Sequence, residues 1–161
     1  MPLVVNLRHL ANHNVLLQGE LPLAELDLET RDEMIRVNGP VMHDLEAQLL
    51  SDELLVRGSL RVALACQCVR CLKPFSFDLH LAEWTCLLPL KGEERVPVHS
   101  DCVDLTPQIR EDILLAFPQH PVCESKCRGL ARTEMGQRKL GGRDRTDTNS
   151  SAWAALDKLK L

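Results

Sequence analysis

Residues 54–81, LLVRGSLRVALACQCVRCLKPFSFDLHL, decide the fold. Leu54, Val56, Gly58, Leu60, Val62, Leu64 and Cys66 share one parity, and the residues between them are mostly polar or small. A period of two places one parity on one face of a strand, so this run reads as a long half-buried strand, with a kink expected at Gly58. Further on, Phe75, Phe77, Leu79 and Leu81 alternate with Ser76, Asp78 and His80, the cleanest alternation in the chain. The two runs form an antiparallel hairpin, and Cys68-x-x-Cys71 falls in its connection.

Upstream, Asn38-Gly39-Pro40 is a strong turn signal. After it, Val41, Leu45, Ala47 and Leu49 oppose Met42, Asp44, Glu46 and Gln48, which predicts another half-buried strand ending at the turn Ser51-Asp52-Glu53. Val15-Leu16-Leu17 before Gly19 reads as a strand, and residues 83–90 extend the second hairpin strand. The pattern then changes. Leu105, Ile109, Ile113 and Phe117 recur every four residues, with Leu114 beside them, forming one apolar helix face. Thr106 offers a hydroxyl N-cap, Pro107 suits the first helical position, and Pro118 and Pro121 end the helix. A second short helix is expected after Ser150 or Ser151, with Trp153, Leu156 and Leu159 on one side.

The resulting fold class is α+β: an antiparallel, barrel-like β-sheet with a packed helix at about 106–117 and a short C-terminal helix. Three segments are expected: a domain over 1–125, a mobile basic segment over 126–149, and the terminal helix over 150–161.

Of the 161 residues, 45% are hydrophobic and 3% aromatic, with no tyrosine, so the core must be built mainly from Leu and Val. Scarce aromatics argue against a single-stranded RNA platform that stacks bases on exposed rings. No secretory leader or membrane-length apolar run is evident, so an intracellular, cytoplasmic protein without membrane contact is expected. The net charge of −4 is uneven. Lys126, Arg128, Arg132, Arg138, Lys139, Arg143 and Arg145 face only Glu134 and Asp144 between 126 and 145, a net of +5 that leaves −9 for the rest. A basic arm on an acidic body suits phosphate contact, and it equally suits a solvated segment.

The seven cysteines carry the strongest chemical signal. In a reducing compartment such spacings favour a metal over disulfides. A structural zinc takes four ligands, commonly as two pairs close in sequence. Cys68 and Cys71 make one pair and Cys123 and Cys127 the second, with 51 residues between Cys71 and Cys123. Zinc is therefore the candidate cofactor. Buried thiols without metal and a redox dithiol remain alternatives, although a hairpin connection lacks the helix dipole that activates redox thiols. Cys66 is a spare ligand or a core residue, Cys86 and Cys102 read as buried apolar side chains, and His120 is a fallback ligand. The histidines form no evident catalytic triad, and no phosphate loop or small-molecule site is apparent. Asp101, Asp104, Glu111 and Asp112 suit the start of a helix better than a cation site.

The segment from Val62 to Phe77, centred on Cys68-Val69-Arg70-Cys71-Leu72-Lys73-Pro74-Phe75, resembles the YceD family of large ribosomal RNA subunit accumulation proteins. The resemblance continues through Asp104-Leu105, Glu111 to Pro118, Pro121-Val122-Cys123, Cys127 to Leu130 and Trp153 to Leu156. One departure stands out: Ala131 and Glu134 occupy places where many members carry a further Cys-x-x-Cys. The resemblance implies a non-enzymatic role in large-subunit ribosomal RNA accumulation during ribosome assembly. Its implied partners are the pre-ribosomal large subunit, ribosomal RNA or a ribosomal protein. The competing expectation is a protein-binding adaptor without RNA contact.

Overall fold

The computed structural model describes residues 2–28 and 33–130. The chain divides into units 1–131 and 132–161, and all the elements described belong to the first. The helix expected over 150–161 lies outside the described residues.

In chain order the elements are β1 (Val4–Asn6), α1 (Leu7–Leu10), β2 (Val15–Leu21), α2 (Leu23–Leu26), β3 (Ile35–Val37), β4 (Val41–Leu50), β5 (Glu53–Gln67), β6 (Pro74–Pro89), β7 (Val98–His99), β8 (Cys102–Asp104) and α3 (Thr106–Leu115). Antiparallel sheet dominates. The larger sheet runs β2-β4-β5-β3, with β6 also on β5, and it curls as a half-barrel. Strands β4 and β3 follow one another along one edge of β5, and β6 takes the other: Met42 and His80 both pair with Arg61, and Ile35 and Phe75 both pair with Cys66. A small sheet, β1-β8-β7, ties the N-terminus to the start of α3. The α+β expectation is met, and the hairpin is β5–β6 with the cysteines in its connection.

One irregularity organises this hairpin. Gly58 pairs with Trp84 but Leu60 pairs with Leu81, so the register shifts between them. A one-residue shift moves the inward set to the other parity. Leu79 and, less deeply, Phe75 and Leu81 therefore point inward before the bulge, and Trp84, Cys86 and Leu88 after it. Gly58 makes this possible: its φ is +150°, and a Cβ there would run into the Asp44 carbonyl oxygen and lie 2.8 Å from Leu45 Cα.

Trp84 then reaches α3, where its indole Nε1 donates to Asp112 Oδ2 at 2.7 Å. Leu105, Ile109 and Ile113 sit fully buried against the sheet. Replacing Asp112 by Ala leaves a buried indole N–H unpaired and should cost about 1–3 kcal/mol. Urea unfolding followed by circular dichroism checks this, and an unchanged midpoint would show the bond to be dispensable.

The helix start corrects one expectation. Thr106 is the first helical residue rather than the cap, and Pro107 is the second. The carboxylate of Asp104 accepts from the Thr106 backbone N–H at 2.9 Å, and the Thr106 hydroxyl accepts instead from Leu3 N–H at 3.0 Å. The hydroxyl is thereby engaged by a partner 103 residues away in sequence. The helix closes on Ala116, two residues before Pro118.

His43 shares the inward parity of β4 with Val41, Leu45 and Ala47. It is 8% exposed, and its Nδ1 has no hydrogen-bond partner among the described residues. The Gly19 position opposite leaves room for the ring, since a Cβ there would lie 3.3 Å from His43 Cε1. Burial lowers the His43 pKa, against a smaller upward pull from Asp44. A lowered histidine pKa means that the unfolded chain takes the proton first. The stability contribution is therefore complete above the unfolded value of about 6.5 and is lost as pH falls below it. The wild-type unfolding midpoint should drop more than that of His43→Leu between neutral pH and pH 5. Equal drops would show that His43 contributes nothing to the pH dependence.

Candidate metal centre

The site is built by two loops. In the first, residues 68–73, the Cys68 N–H donates to the Lys73 carbonyl and the Leu72 N–H to the Cys68 carbonyl, both at 2.9 Å. Gln67 Nε2 also donates to the Leu72 carbonyl at 2.9 Å. Leu72 takes the left-handed conformation, φ +60°, which folds the Cys-x-x-Cys back on itself. The second loop follows α3. Its turn is closed by the Cys127 N–H on the Glu124 carbonyl at 3.0 Å, and Gly129 continues at φ +82°. The loops are joined directly by the Val69 N–H on the Pro121 carbonyl at 2.9 Å, and Arg70 Nη1 donates to the Cys127 carbonyl at 3.3 Å.

Cys68, Cys71, Cys123 and Cys127 meet here, all four sulfurs within 4.8 Å of one another. The Cys68–Cys127 separation is 3.8 Å and the Cys71–Cys123 separation 3.7 Å, and all seven cysteines of the chain are free thiols. A disulfide needs about 2.05 Å. A zinc at about 2.3 Å from four sulfurs gives tetrahedral edges of about 3.8 Å. The separations match the second geometry. Four thiol donors leave no open position, so the donor set suits a closed structural centre.

The electrostatics fit a ligand set. The backbone N–H of Cys123, aided by those of Cys71 and Arg70, holds the Cys68 thiol down to about 6 in spite of burial. Burial, with the neighbouring thiols, pushes Cys123 up to about 12. Cys127 is also raised: the Gly129 N–H pulls it down, but burial and the Cys71 and Cys68 thiols outweigh that pull. One sulfur is thus ready as a thiolate, while further thiolates on so small a site need a cation to hold them together. A low thiol pKa alone would suit redox chemistry too, but Cys68 is 0% exposed and closed off from substrate.

The other candidates stand apart from this group. Cys66 and Cys86 are core residues, and burial, with Asp112 adding, raises the Cys86 thiol to about 11. Cys102 is only half-buried, less than expected, because its strand of three residues lies in the small sheet. His120 is exposed and not among the four. Asp101 pairs with Arg8 at 2.6 Å, and Asp104 and Asp112 have the structural roles given above. Of the basic residues, Lys126 and Arg128 are exposed, and Arg132, Arg138, Lys139, Arg143 and Arg145 lie outside the described residues, as do Ala131 and Glu134. Arg70 was not singled out in the sequence; its signal is a cation placed between two ligand cysteines.

Fold and site together define a β-rich α+β protein whose central hairpin meets the loop after its main helix in a four-cysteine cluster. A family model described as large ribosomal RNA subunit accumulation protein YceD matches residues 56–160. The chain belongs to the YceD family. No curated protein and no solved structure matches it significantly. Among the described residues, no helix is long and apolar enough to cross a membrane.

Proposed function

We propose that this protein is a non-enzymatic cytoplasmic factor that supports large-subunit ribosomal RNA accumulation during ribosome assembly. Cys68, Cys71, Cys123 and Cys127 hold a structural zinc, and the basic residues Lys126, Arg128, Arg132, Arg138, Lys139, Arg143 and Arg145 contact RNA. The observation that carries the role is the family match over 56–160. The closed, all-thiol donor set supports the structural use of the metal. In this reading residues 1–125 form the folded body, 126–149 a basic arm and 150–161 a terminal helix.

Co-sedimentation tests the role. The protein should travel with large-subunit precursors at low salt and leave them as salt rises. Protein that stays at the top of the gradient with precursors present would refute it. The adaptor reading draws on the acidic body and on exposed apolar side chains, Leu115 at 84% and Leu87 at 50%. Its signature is a complex that survives nuclease.

A further inference from the structure

Resting on the ribosomal RNA reading, we infer that the exposed rim of the four-cysteine cluster is an RNA phosphate-binding surface. Arg70 and Lys73 act there beside Lys126 and Arg128, and the metal holds the four cations together.

Arg70 leaves the first loop and lies against the Cys127 carbonyl of the second, at a point flanked in sequence by Lys126 and Arg128. That contact, 57 residues apart in sequence, brings Arg70 to the stretch that carries Lys126 and Arg128, and Lys73 stands in the same loop as Arg70. All four side chains are exposed. None pairs with a carboxylate among the described residues, whereas Arg8, Arg57, Lys91 and Arg110 each do. Within 68–74 and 121–130, Glu124 is the single acid. A filled four-thiolate zinc centre carries two negative charges, so the rim remains positive by one once Glu124 is counted. The cations stand at the surface, whereas Cys68 is 0% exposed.

This patch contrasts with a chain that nets −9 outside 126–145. A polyanion approaching the protein is repelled by most of the body and accepted at this rim. No aromatic side chain belongs to either loop. Contact is therefore made to the phosphate backbone, not by base stacking, and it should tolerate sequence and respond steeply to salt. The exposed Val69, Leu72 and Leu130 offer apolar contact at its border.

The test is fluorescence anisotropy of a labelled RNA hairpin with the full chain from about 50 to about 200 mM salt. Arg70→Gln/Lys73→Gln should weaken binding roughly tenfold and flatten the slope of log affinity against log salt by about 2, with the circular dichroism spectrum unchanged. Removing the metal with a chelator should flatten the slope at least as much. Unchanged binding in R70Q/K73Q, with binding lost in R138Q/K139Q/R143Q/R145Q, would overturn the surface and leave the RNA reading intact. A slope that survives verified metal loss would overturn the metal's part in it. Protein that co-sediments with precursors yet binds no RNA would overturn the surface and point to a ribosomal protein as partner. Absence of co-sedimentation would defeat the functional reading itself.

Discussion

Serine at Cys68, Cys71, Cys123 or Cys127 is expected to abolish stoichiometric metal binding and lower the thermal midpoint by roughly 10–15 °C. The size follows from topology. The cluster joins the β5–β6 connection to the loop after α3, closing a loop of 51 residues between Cys71 and Cys123. A cross-link over that span restricts the unfolded chain much as a disulfide would. Neighbouring hydrogen bonds should fail with it: the Val69 N–H to the Pro121 carbonyl, and the Arg70 side chain to the Cys127 carbonyl, both join the two cysteine loops. Limited proteolysis is therefore expected to cut near Cys123–Leu130 in each serine variant and not in wild type. Cys66→Ser and Cys86→Ser are the controls, because they disturb the core without touching the metal. Metal retained at full stoichiometry in the four single variants would show that the cluster is not the site.

Gly58→Val is expected to destabilise by about 3–5 kcal/mol, enough to stop soluble accumulation of a domain of ordinary stability. Two effects combine. A side chain at φ +150° is strained, and its Cβ would collide with the Asp44 and Leu45 backbone of the neighbouring strand. The chain cannot easily yield, since Gly58 sits between β4 and β6 at the bulge that sets which β6 residues face inward. Comparing Gly58→Ala with Gly39→Ala separates the terms. Gly39 also has positive φ, +124°, but among the described residues nothing lies within 4 Å of its Cβ position. That substitution should cost about 1 kcal/mol, from strain alone. Equal losses at the two positions would mean that close strand packing at Gly58 contributes nothing.

The legible parts of this protein are those with an unbroken period. Seven same-parity residues from Leu54 to Cys66 define β5, and four from Phe75 to Leu81 define the first half of β6. Ile109 and Ile113, one helical turn apart, define α3. Strands β1, β3, β7 and β8 have two or three residues each, too few to carry a period, and are held by neighbours distant in sequence. The parity change at Trp84 is not visible as a pattern, although Gly58 marks where it happens. At Thr106 the residue types mark the helix start, but Thr106 is itself helical and its hydroxyl accepts from Leu3, a partner the local sequence does not show.

The site was legible for a different reason. Cys-x-x-Cys and Cys-x-x-x-Cys each fix two sulfurs locally, so only the meeting of the pairs needed the tertiary structure. Arg70 and His43 were harder. The first matters through a carbonyl 57 residues away, and the second lies among apolar neighbours on an inward face without being apolar itself.

The central claim is that the four cysteines hold one metal ion, and metal analysis with a thiol count on the purified protein tests it most directly. One zinc per chain, with Cys66, Cys86 and Cys102 as the three thiols left unligated and all seven reactive after denaturation with a chelator, is the predicted result. Protein purified under reducing conditions without chelator that carries no metal, and gains none on titration with zinc, would contradict it.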